Sequence, residues 1–338
     1  MIFIEQESMI EQKCLQLLHQ ASEYEASDVH LLPREKNFKI LFRKYGRFVQ
    51  MGEFPNDLAA RMISYFKFLS SLDISEKRKP QSGAFQKSIQ NKNYSFRIST
   101  LPSTFHKESL AIRFLRQNFT RPIPTICHDP KSAETLTKLV EYPSGLLLIS
   151  GATGSGKTTT LYSLLHYCAK ELSRHVISLE DPVESTQEDL LQIQVNERAG
   201  VTYSAGLKAI LRHSPEVIMV GEIRDKETAQ IAMEAAFTGH LVISTIHAKD
   251  TVNCLYRLLD LSISVEDMRQ MLLAIVTQSL VTTKTAEYKA LFEVLMGEQL
   301  QNALQHVQEK RDYELPEECT IVGQLSRLEE QDYEYTNH

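Results

Sequence analysis

A glycine-rich segment near the middle of the chain constrains the fold more than any other feature. Residues 151–158 read Gly-Ala-Thr-Gly-Ser-Gly-Lys-Thr and match the pattern G-x-x-x-x-G-K-[ST] at every fixed position. The apolar run Leu146 to Ile149 precedes this segment, and helix-forming residues from Thr158 to Ala169 follow it. A strand, a glycine loop and a helix in this order predict a phosphate-binding loop in an α/β domain.

The residue types in this loop suit a nucleotide polyphosphate. Glycines let backbone N–H groups turn toward phosphate oxygens, the Lys157 ammonium adds positive charge at the β- and γ-phosphates, and the Thr158 hydroxyl can ligate Mg²⁺. The alternative is a glycine-rich turn that carries a lysine by chance, which the matching flanks disfavour. The residues expected to contact the nucleotide are Gly151, Ala152, Thr153, Gly154, Ser155, Gly156, Lys157, Thr158 and Thr159.

The composition is that of an ordinary globular protein, with 42% hydrophobic and 24% charged residues in a chain of 338. Five scattered cysteines, none spaced as C-x-x-C, predict reduced thiols and neither a zinc site nor a disulfide framework. The longest apolar runs fall far short of the ~20 residues of a membrane span. The acidic N-terminus is unlike a secretory signal, so we expect no export.

The negative charge is concentrated at the C-terminal end. Residues 309–338 contain nine acidic and three basic residues, which account for the whole net charge of −6. The remainder is balanced, and this argues against broad non-specific binding to nucleic acid. Because Pro316 lies in this tail and few apolar residues recur periodically after it, we expect residues 309–338 to be partly disordered.

The pattern of apolar residues predicts two domains. Hairpins and helices over residues 1–120 predict an α+β domain, and the prolines of Arg121 to Thr125 predict a non-helical linker over 121–130. Over 131–308, strand candidates alternate with helices, which predicts an α/β domain with a largely parallel sheet. Within it, the C-terminal part from Asp250 to Leu280 is expected to be all helix.

Three strand candidates of the α/β domain end in polar residues. Glu180 to Glu184 contains three carboxylates that suit a Mg²⁺ or water site, although acids near a proline also cap ordinary turns. Glu222 follows the run Val217 to Val220, where a base could orient water against a γ-phosphate, or it lies in a surface loop. His247 also follows a strand, and a lone histidine there is more often structural than phosphate-sensing.

Taken together, these segments resemble the secretion-ATPase superfamily that powers type II secretion and type IV pili. Residues 151–158 resemble its Walker A loop, Ile177 to Glu184 its aspartate box, Val217 to Asp225 its Walker B segment, and Ser244 to Ala248 its histidine box. The first domain is similar to that of the assembly branch, as in Ala26 to Pro33. The short form without a zinc module most resembles the competence ATPase of Gram-positive bacteria, which assembles a pseudopilus for DNA uptake.

The resemblance implies an α/β P-loop (RecA-like) ATPase domain preceded by a smaller α+β domain, with ATP and Mg²⁺ as cofactors and no zinc. It implies that Glu222 positions or activates water, that Glu180 supports the metal or the water, and that His247 couples phosphate occupancy to domain motion. It also makes Arg97 and Arg113 candidates to reach the γ-phosphate across a subunit boundary, where a guanidinium stabilises the charge of phosphoryl transfer. Which of the two arginines does so is left open.

The resemblance further implies a cytoplasmic homo-hexamer, peripheral at the inner face of the cell membrane through an inner-membrane platform protein of the pseudopilus machine, with no direct nucleic-acid binding. Three alternatives are a nucleotide-gated scaffold that does not hydrolyse ATP, a motor that pulls DNA itself, and a secretion or pilus-retraction motor of the same superfamily. The intact Glu222 favours a motor over a scaffold. The balanced charge of the body disfavours a motor that holds DNA.

Overall fold

The computed structural model describes residues 2–44, 47–89, 92–104, 106–115, 120–152, 154–282 and 288–329. The chain forms two compact units. The first contains Met1–Gln117 together with Pro182–Thr186, and the second contains Asn118–Asp181 together with Gln187–His338.

The first unit is an antiparallel sheet packed against two helices. Its elements are α1 (Ile2–Glu23), β1 (Asp28–Pro33), β2 (Asn37–Lys44), β3 (Arg47–Pro55), α2 (Asn56–Leu69), β4 (Gln81–Ile89), β5 (Lys92–Pro102) and β6 (Glu108–Leu115). The strands lie in the order β3-β2-β1-β6-β5-β4. In β2, residues alternate between buried and partly exposed, as the period of two in a strand requires. The predicted α+β architecture is confirmed.

A buried ion pair lies inside this unit, between α2 and β6. The Lys67 Nζ is 2.8 Å from the Glu108 Oε1, and the two side chains are 0% and 5% exposed. The same ammonium donates to the Glu76 carbonyl at 2.8 Å, and the Gln81 amide donates to that carbonyl at 2.9 Å. These bonds hold the loop after α2 against the sheet.

The second unit is a mixed sheet with helices around it. Its elements are α3 (Ile123–Ile126), α4 (Pro130–Glu141), β7 (Gly145–Ser150), α5 (Lys157–Lys170), β8 (Val176–Glu180), β9 (Leu191–Gln194), α6 (Tyr203–Ile210), β10 (Val217–Glu222), α7 (Lys226–Phe237), β11 (Leu241–Thr245), α8 (Thr251–Asp260), α9 (Val265–Met271), β12 (Leu272–Thr282), β13 (Tyr288–Met296), α10 (Gly297–Gln308) and α11 (Ile321–Glu329). The strand order is β13-β12-β7-β11-β10-β8-β9. All neighbours pair in parallel except β12 and β13. The predicted α/β P-loop fold is confirmed.

The prediction that Asp250 to Leu280 is all helix is wrong in its last part. Helices α8 and α9 are present, but β12 begins at Leu272 and pairs with β7 on one side and β13 on the other. The run Leu272 to Val276 is apolar throughout, and such a run fits a buried helix or a buried strand equally well. Pairing with distant strands decides between the two, and this is invisible in the local pattern.

One further expectation needs correction. Arg121 to Thr125 was predicted to exclude helix, yet Ile123–Ile126 forms a helical turn. Pro124 is tolerated because it lies at the start of the turn, where a backbone N–H has no helical partner to lose. The predicted partial disorder of 309–338 stays a prediction; within this tail, Leu328 of α11 packs with residues of β12 and β13. Residues 330–338, the rest of the tail, lie outside the described ranges.

Candidate active site

The phosphate loop follows β7, a strand whose six residues are all buried. The backbone φ is positive at Gly151, Gly154 and Gly156, at 138°, 87° and 86°. Residues with a Cβ rarely adopt such angles, so this path of the chain requires glycine. Gly156 lies directly before α5 as its N-cap. The predicted order of strand, loop and helix is therefore confirmed.

The Lys157 side chain folds back over the loop. Its Nζ donates to the carbonyl oxygens of Gly151 at 2.7 Å and Ala152 at 2.8 Å. Thr158 and Thr159 follow, half-buried in the first turn of α5. Backbone N–H groups in a first turn have no partner within the helix and attract anions. The ammonium and these N–H groups therefore lie around one short loop.

The loop has the features that a polyphosphate needs. A Cβ on Gly154 would meet no atom within 4 Å, so there is open space on that side. The Ser155 hydroxyl is buried and has no hydrogen-bond partner among the described residues, as expected of a group that serves a ligand. With Lys157 these groups fit ATP, and the Thr158 hydroxyl would be the ligand for Mg²⁺. Thr153, also predicted to contact phosphate, lies outside the described residues.

The side chains of Glu222 and His247, which the sequence predicted separately, are in direct contact. The His247 Nε2 is 3.0 Å from the Glu222 Oε1. The other carboxylate oxygen accepts from the Nε and Nη2 of Arg224, each at 2.7 Å. This hydrogen bond raises the pKa of Arg224 above its ordinary value. The Glu222 side chain is only 17% exposed, and its carboxylate lies between the Arg224 guanidinium and the His247 imidazole at the end of β10.

Hydroxyl groups tie the three central strands together beside this pair. Thr245 Oγ1 donates to the Gly221 carbonyl at 2.8 Å, which joins the end of β11 to the end of β10. The hydroxyl of Ser150, the last residue of β7, donates to the Ala248 carbonyl at 3.0 Å. The residue next to His247 is therefore bonded to the strand that carries the phosphate loop.

Glu180 is deeply buried at the end of β8. Its carboxylate accepts from the Ser178 hydroxyl at 2.5 Å, from the Gln192 amide at 2.9 Å and from the Tyr162 hydroxyl. Tyr162 lies on α5, one turn after the phosphate loop, and is fully buried. This carboxylate thus supports the helix that follows the loop.

Arg97 and Arg113 lie in the first unit, opposite each other on the paired strands β5 and β6. The Arg113 Nε donates to the buried Asp28 carboxylate at 2.8 Å, and its side chain is 59% exposed. Asp28 pairs with Arg113 across β1 and β6. The two predicted arginines thus share one face of the sheet, and their role at a phosphate stays a prediction.

Sequence patterns missed the residues that hold the predicted ones in place. Tyr162 and Gln192 bond Glu180, and Gln278 of β12 bonds the phosphate loop. A large polar residue shortly after the apolar run Leu272 to Val276 is the one signal that could have indicated Gln278, and the helix predicted there concealed it. Tyr162 lies within an apolar helix face and carries no signal of its own.

The fold and the phosphate loop define a P-loop protein of the α/β class. The chain belongs to the Type II/IV secretion system protein family, whose sequence model matches residues 4–327. The competence protein ComGA of Bacillus subtilis (strain 168) is 42% identical over 313 residues, and the match covers 88% of each chain. The ComGA of Halalkalibacterium halodurans is 40% identical over 306 residues, which cover 85% of this chain and 88% of that protein.

The type II secretion system protein E of Pseudomonas aeruginosa is 38% identical over 266 residues, which are 78% of this chain and 53% of that protein. Among solved structures, the pilus retraction motor PilT with bound ADP has a TM-score of 0.74 at 24% identity, over 94% of this chain and 93% of that chain. At that identity the likeness concerns the fold alone. The superfamily resemblance predicted from the four boxes is confirmed by the family match and by these relatives.

The helices in the described part of the chain are too short or too polar to cross a bilayer.

Proposed function

We propose that this protein is a Mg²⁺-dependent ATPase that works as a cytoplasmic hexamer and drives assembly of a competence-type pseudopilus for DNA uptake. One observation carries the ATPase part. The phosphate loop follows β7, His247 follows β11 and Glu222 ends β10, and these three strands are parallel neighbours. Their functional ends therefore lie at one edge of one sheet, where α/β proteins bind ligands.

The residues of this edge have separate tasks in the proposed reaction. The loop amides and Lys157 bind the phosphates. When they do so, the Lys157 ammonium gives up its hydrogen bonds to the Gly151 and Ala152 carbonyls and donates to phosphate oxygens. The Thr158 hydroxyl would be a ligand for Mg²⁺, which would supply positive charge beside the phosphates. Glu222 accepts a hydrogen bond from the attacking water and so orients it. An ionised carboxylate has about four acceptor sites, so Glu222 can accept from the water while it keeps its contacts with Arg224 and His247.

The remaining tasks concern coupling and assembly. Glu180 maintains the helix after the loop, and His247 transmits phosphate occupancy through its bond to Glu222. Arg97 or Arg113 of a neighbouring subunit stabilises the γ-phosphate during transfer. The competence proteins among the relatives support the pseudopilus, and family membership supports a platform protein at the inner membrane as partner. No direct contact with nucleic acid is proposed.

Steady-state ATP hydrolysis with Mg²⁺, measured across protein concentrations that span assembly, tests the proposal. We expect turnover per subunit to rise as the oligomer forms, because sites shared between subunits exist only in the oligomer. ATP binding without turnover in the assembled state, also after the platform protein is added, would favour the nucleotide-gated scaffold. Salt-dependent DNA affinity would favour a motor that holds DNA.

The role of Glu222 is tested by Glu222→Gln. The amide keeps the shape of the side chain but is a much weaker acceptor for the water proton. We expect kcat to fall by about 10²- to 10⁴-fold while ATP still binds. The matched control is Glu234→Gln on the exposed side of α7, which should keep the wild-type rate. Hydrolysis by Glu222→Gln at the wild-type rate would show that the base is another group.

A further inference from the structure

Gln278 occupies a central place behind the phosphate loop. It lies on β12, which pairs in parallel with β7 so that Thr277 is opposite Ser150. The next residue along each strand brings Gln278 beside Gly151, where the loop begins. The Gln278 side chain is 2% exposed, so it can serve neither solvent nor a surface partner.

Both ends of the Gln278 amide bond to the loop and the helix that follows it. The Nε2 donates to the Ser155 carbonyl at 2.7 Å, near the end of the loop. The Oε1 accepts from the Thr160 hydroxyl at 2.8 Å, in the first turn of α5. One buried side chain therefore fixes the orientation of the Ser155 peptide and the entry of the helix.

Gln278 also packs against the glycines at the two ends of the loop. Its backbone oxygen lies 2.4 Å from the position of a Cβ on Gly151, and its Nε2 lies 2.9 Å from that of a Cβ on Gly156. A side chain at either position would collide with Gln278. The close approach of β12, together with the positive φ values, thus explains why these loop positions are glycine.

We propose that Gln278 is a positioning residue that holds the phosphate loop in its binding shape before the nucleotide arrives. A loop that is already ordered loses less conformational freedom on binding, so the gain appears as affinity. Gln278 contacts the Ser155 carbonyl and not the groups proposed to orient water. Its loss should therefore act on nucleotide binding much more than on the chemical step. This inference rests on the proposed use of the loop for ATP.

A structural role alone makes a different prediction. If Gln278 merely satisfied buried polar groups, its removal would lower the melting temperature and leave the affinity of the folded protein unchanged. Gln324 on α11 offers the comparison. Its amide donates to the carbonyls of Phe292 at 2.9 Å and Cys319 at 3.2 Å, which lie on other elements than the phosphate loop. Gln324→Ala is therefore the matched control for loss of an amide bonded to backbone carbonyls.

The experiment measures the Kd of a fluorescent ADP analogue, KM and kcat for ATP, and the melting temperature without nucleotide. For Gln278→Ala we expect Kd and KM to rise about tenfold or more, the loss that one buried hydrogen bond supports. We expect kcat at saturating ATP to stay within about twofold of wild type. Gln324→Ala should lower the melting temperature and leave Kd unchanged. An unchanged Kd in folded Gln278→Ala would overturn the proposal.

Gln278→Glu gives a second, pH-dependent readout and serves if Gln278→Ala does not fold. Its ionised carboxylate keeps the bond from Thr160 but repels the Ser155 carbonyl, whereas the neutral acid can donate to that carbonyl. Burial raises the pKa of a carboxyl group. The affinity of this variant should therefore recover as pH falls from about 8 to about 6, relative to wild type. A pH-independent ratio of the two affinities would contradict a positioning role.

The two proposals fail in distinguishable ways. Absence of nucleotide binding by the wild-type protein would reject the proposed function itself. Normal binding and hydrolysis by wild type, with normal affinity in both Gln278 variants, would reject only the inference about Gln278.

Discussion

At the scale of single residues, the buried carboxylate of Glu180 requires hydrogen-bond donors from its neighbours. A buried carboxylate is tolerated only when its oxygens are hydrogen-bonded, and Tyr162 is one of the donors. Tyr162→Phe keeps the ring and removes this bond. We expect the free energy of unfolding to fall by about 1–3 kcal/mol, measured by urea denaturation.

The control for this change lies on the same helix. Tyr167 donates to the Glu141 carboxylate across 3.5 Å at an exposed site. Tyr167→Phe should change the unfolding free energy by less than about 0.5 kcal/mol. Equal losses of unfolding free energy in Tyr162→Phe and Tyr167→Phe would show that the buried bond to Glu180 contributes no more than the exposed one.

Cysteine reactivity is a second prediction at this scale. Burial raises the pKa of Cys14, Cys127, Cys168 and Cys254 to about 12 each. At pH 8 each would be a thiolate only on the order of 10⁻⁴ of the time, and Cys319 is the one that is partly exposed. Iodoacetamide at pH 8 should modify Cys319 first, as read by peptide mass spectrometry. The native protein should protect the other four, which should all react in denaturant.

At the scale of elements, the sequence predicted correctly those strands, loops and helices that are specified by residues close together in the chain. The strand, loop and helix around Lys157 are correct because glycines and an apolar run specify them within a few residues. Strand β12 was missed because only pairing with β7 and β13 decides its structure. For the same reason Gln278 could not be placed at the loop, since 123 positions separate it from Ser155.

The contact between α2 and β6 supports a prediction about stability. Lys67→Met leaves the Glu108 carboxylate buried without its cation, at a cost of about 3–5 kcal/mol in the free energy of unfolding. Adding Glu108→Gln to it should recover part of the loss, because the remaining charge is removed. Lys87→Met is the control, since its pair with Glu11 is 29% and 42% exposed and such pairs contribute about 0–1 kcal/mol. Losses of similar size for the two lysines would contradict this view of the buried pair.

At the scale of the whole molecule, sequence motifs indicated the family and the fold, while the grouping of the site required the sheet. Glu222 and His247 are 25 positions apart in the chain, yet their side chains are 3.0 Å apart because β10 and β11 are parallel neighbours. Taken alone, each residue also fitted a non-catalytic interpretation, Glu222 as a carboxylate in a surface loop and His247 as a structural histidine. The contact brings both groups together at the ends of these strands, and the coupling of the pair to the loop stays a prediction.

The proposed sharing of sites between subunits gives the last prediction. In a ring of identical contacts, each site would combine the Lys157 of one subunit with the Arg113 of its neighbour. Arg113→Ala and Lys157→Ala subunits should each be inactive alone. After random one-to-one mixing, roughly a quarter of the sites regain both groups, so ATP hydrolysis should reach roughly a quarter of the wild-type rate. The control is a mixture of Lys157→Ala with Arg61→Ala, which changes an exposed arginine. Because Arg61→Ala should be active alone, this mixture gives the activity expected when active subunits are only diluted by inactive ones. If mixing restores nothing at any ratio, Arg113 does not act across the boundary, and the same mixture made with Arg97→Ala then tests the other arginine.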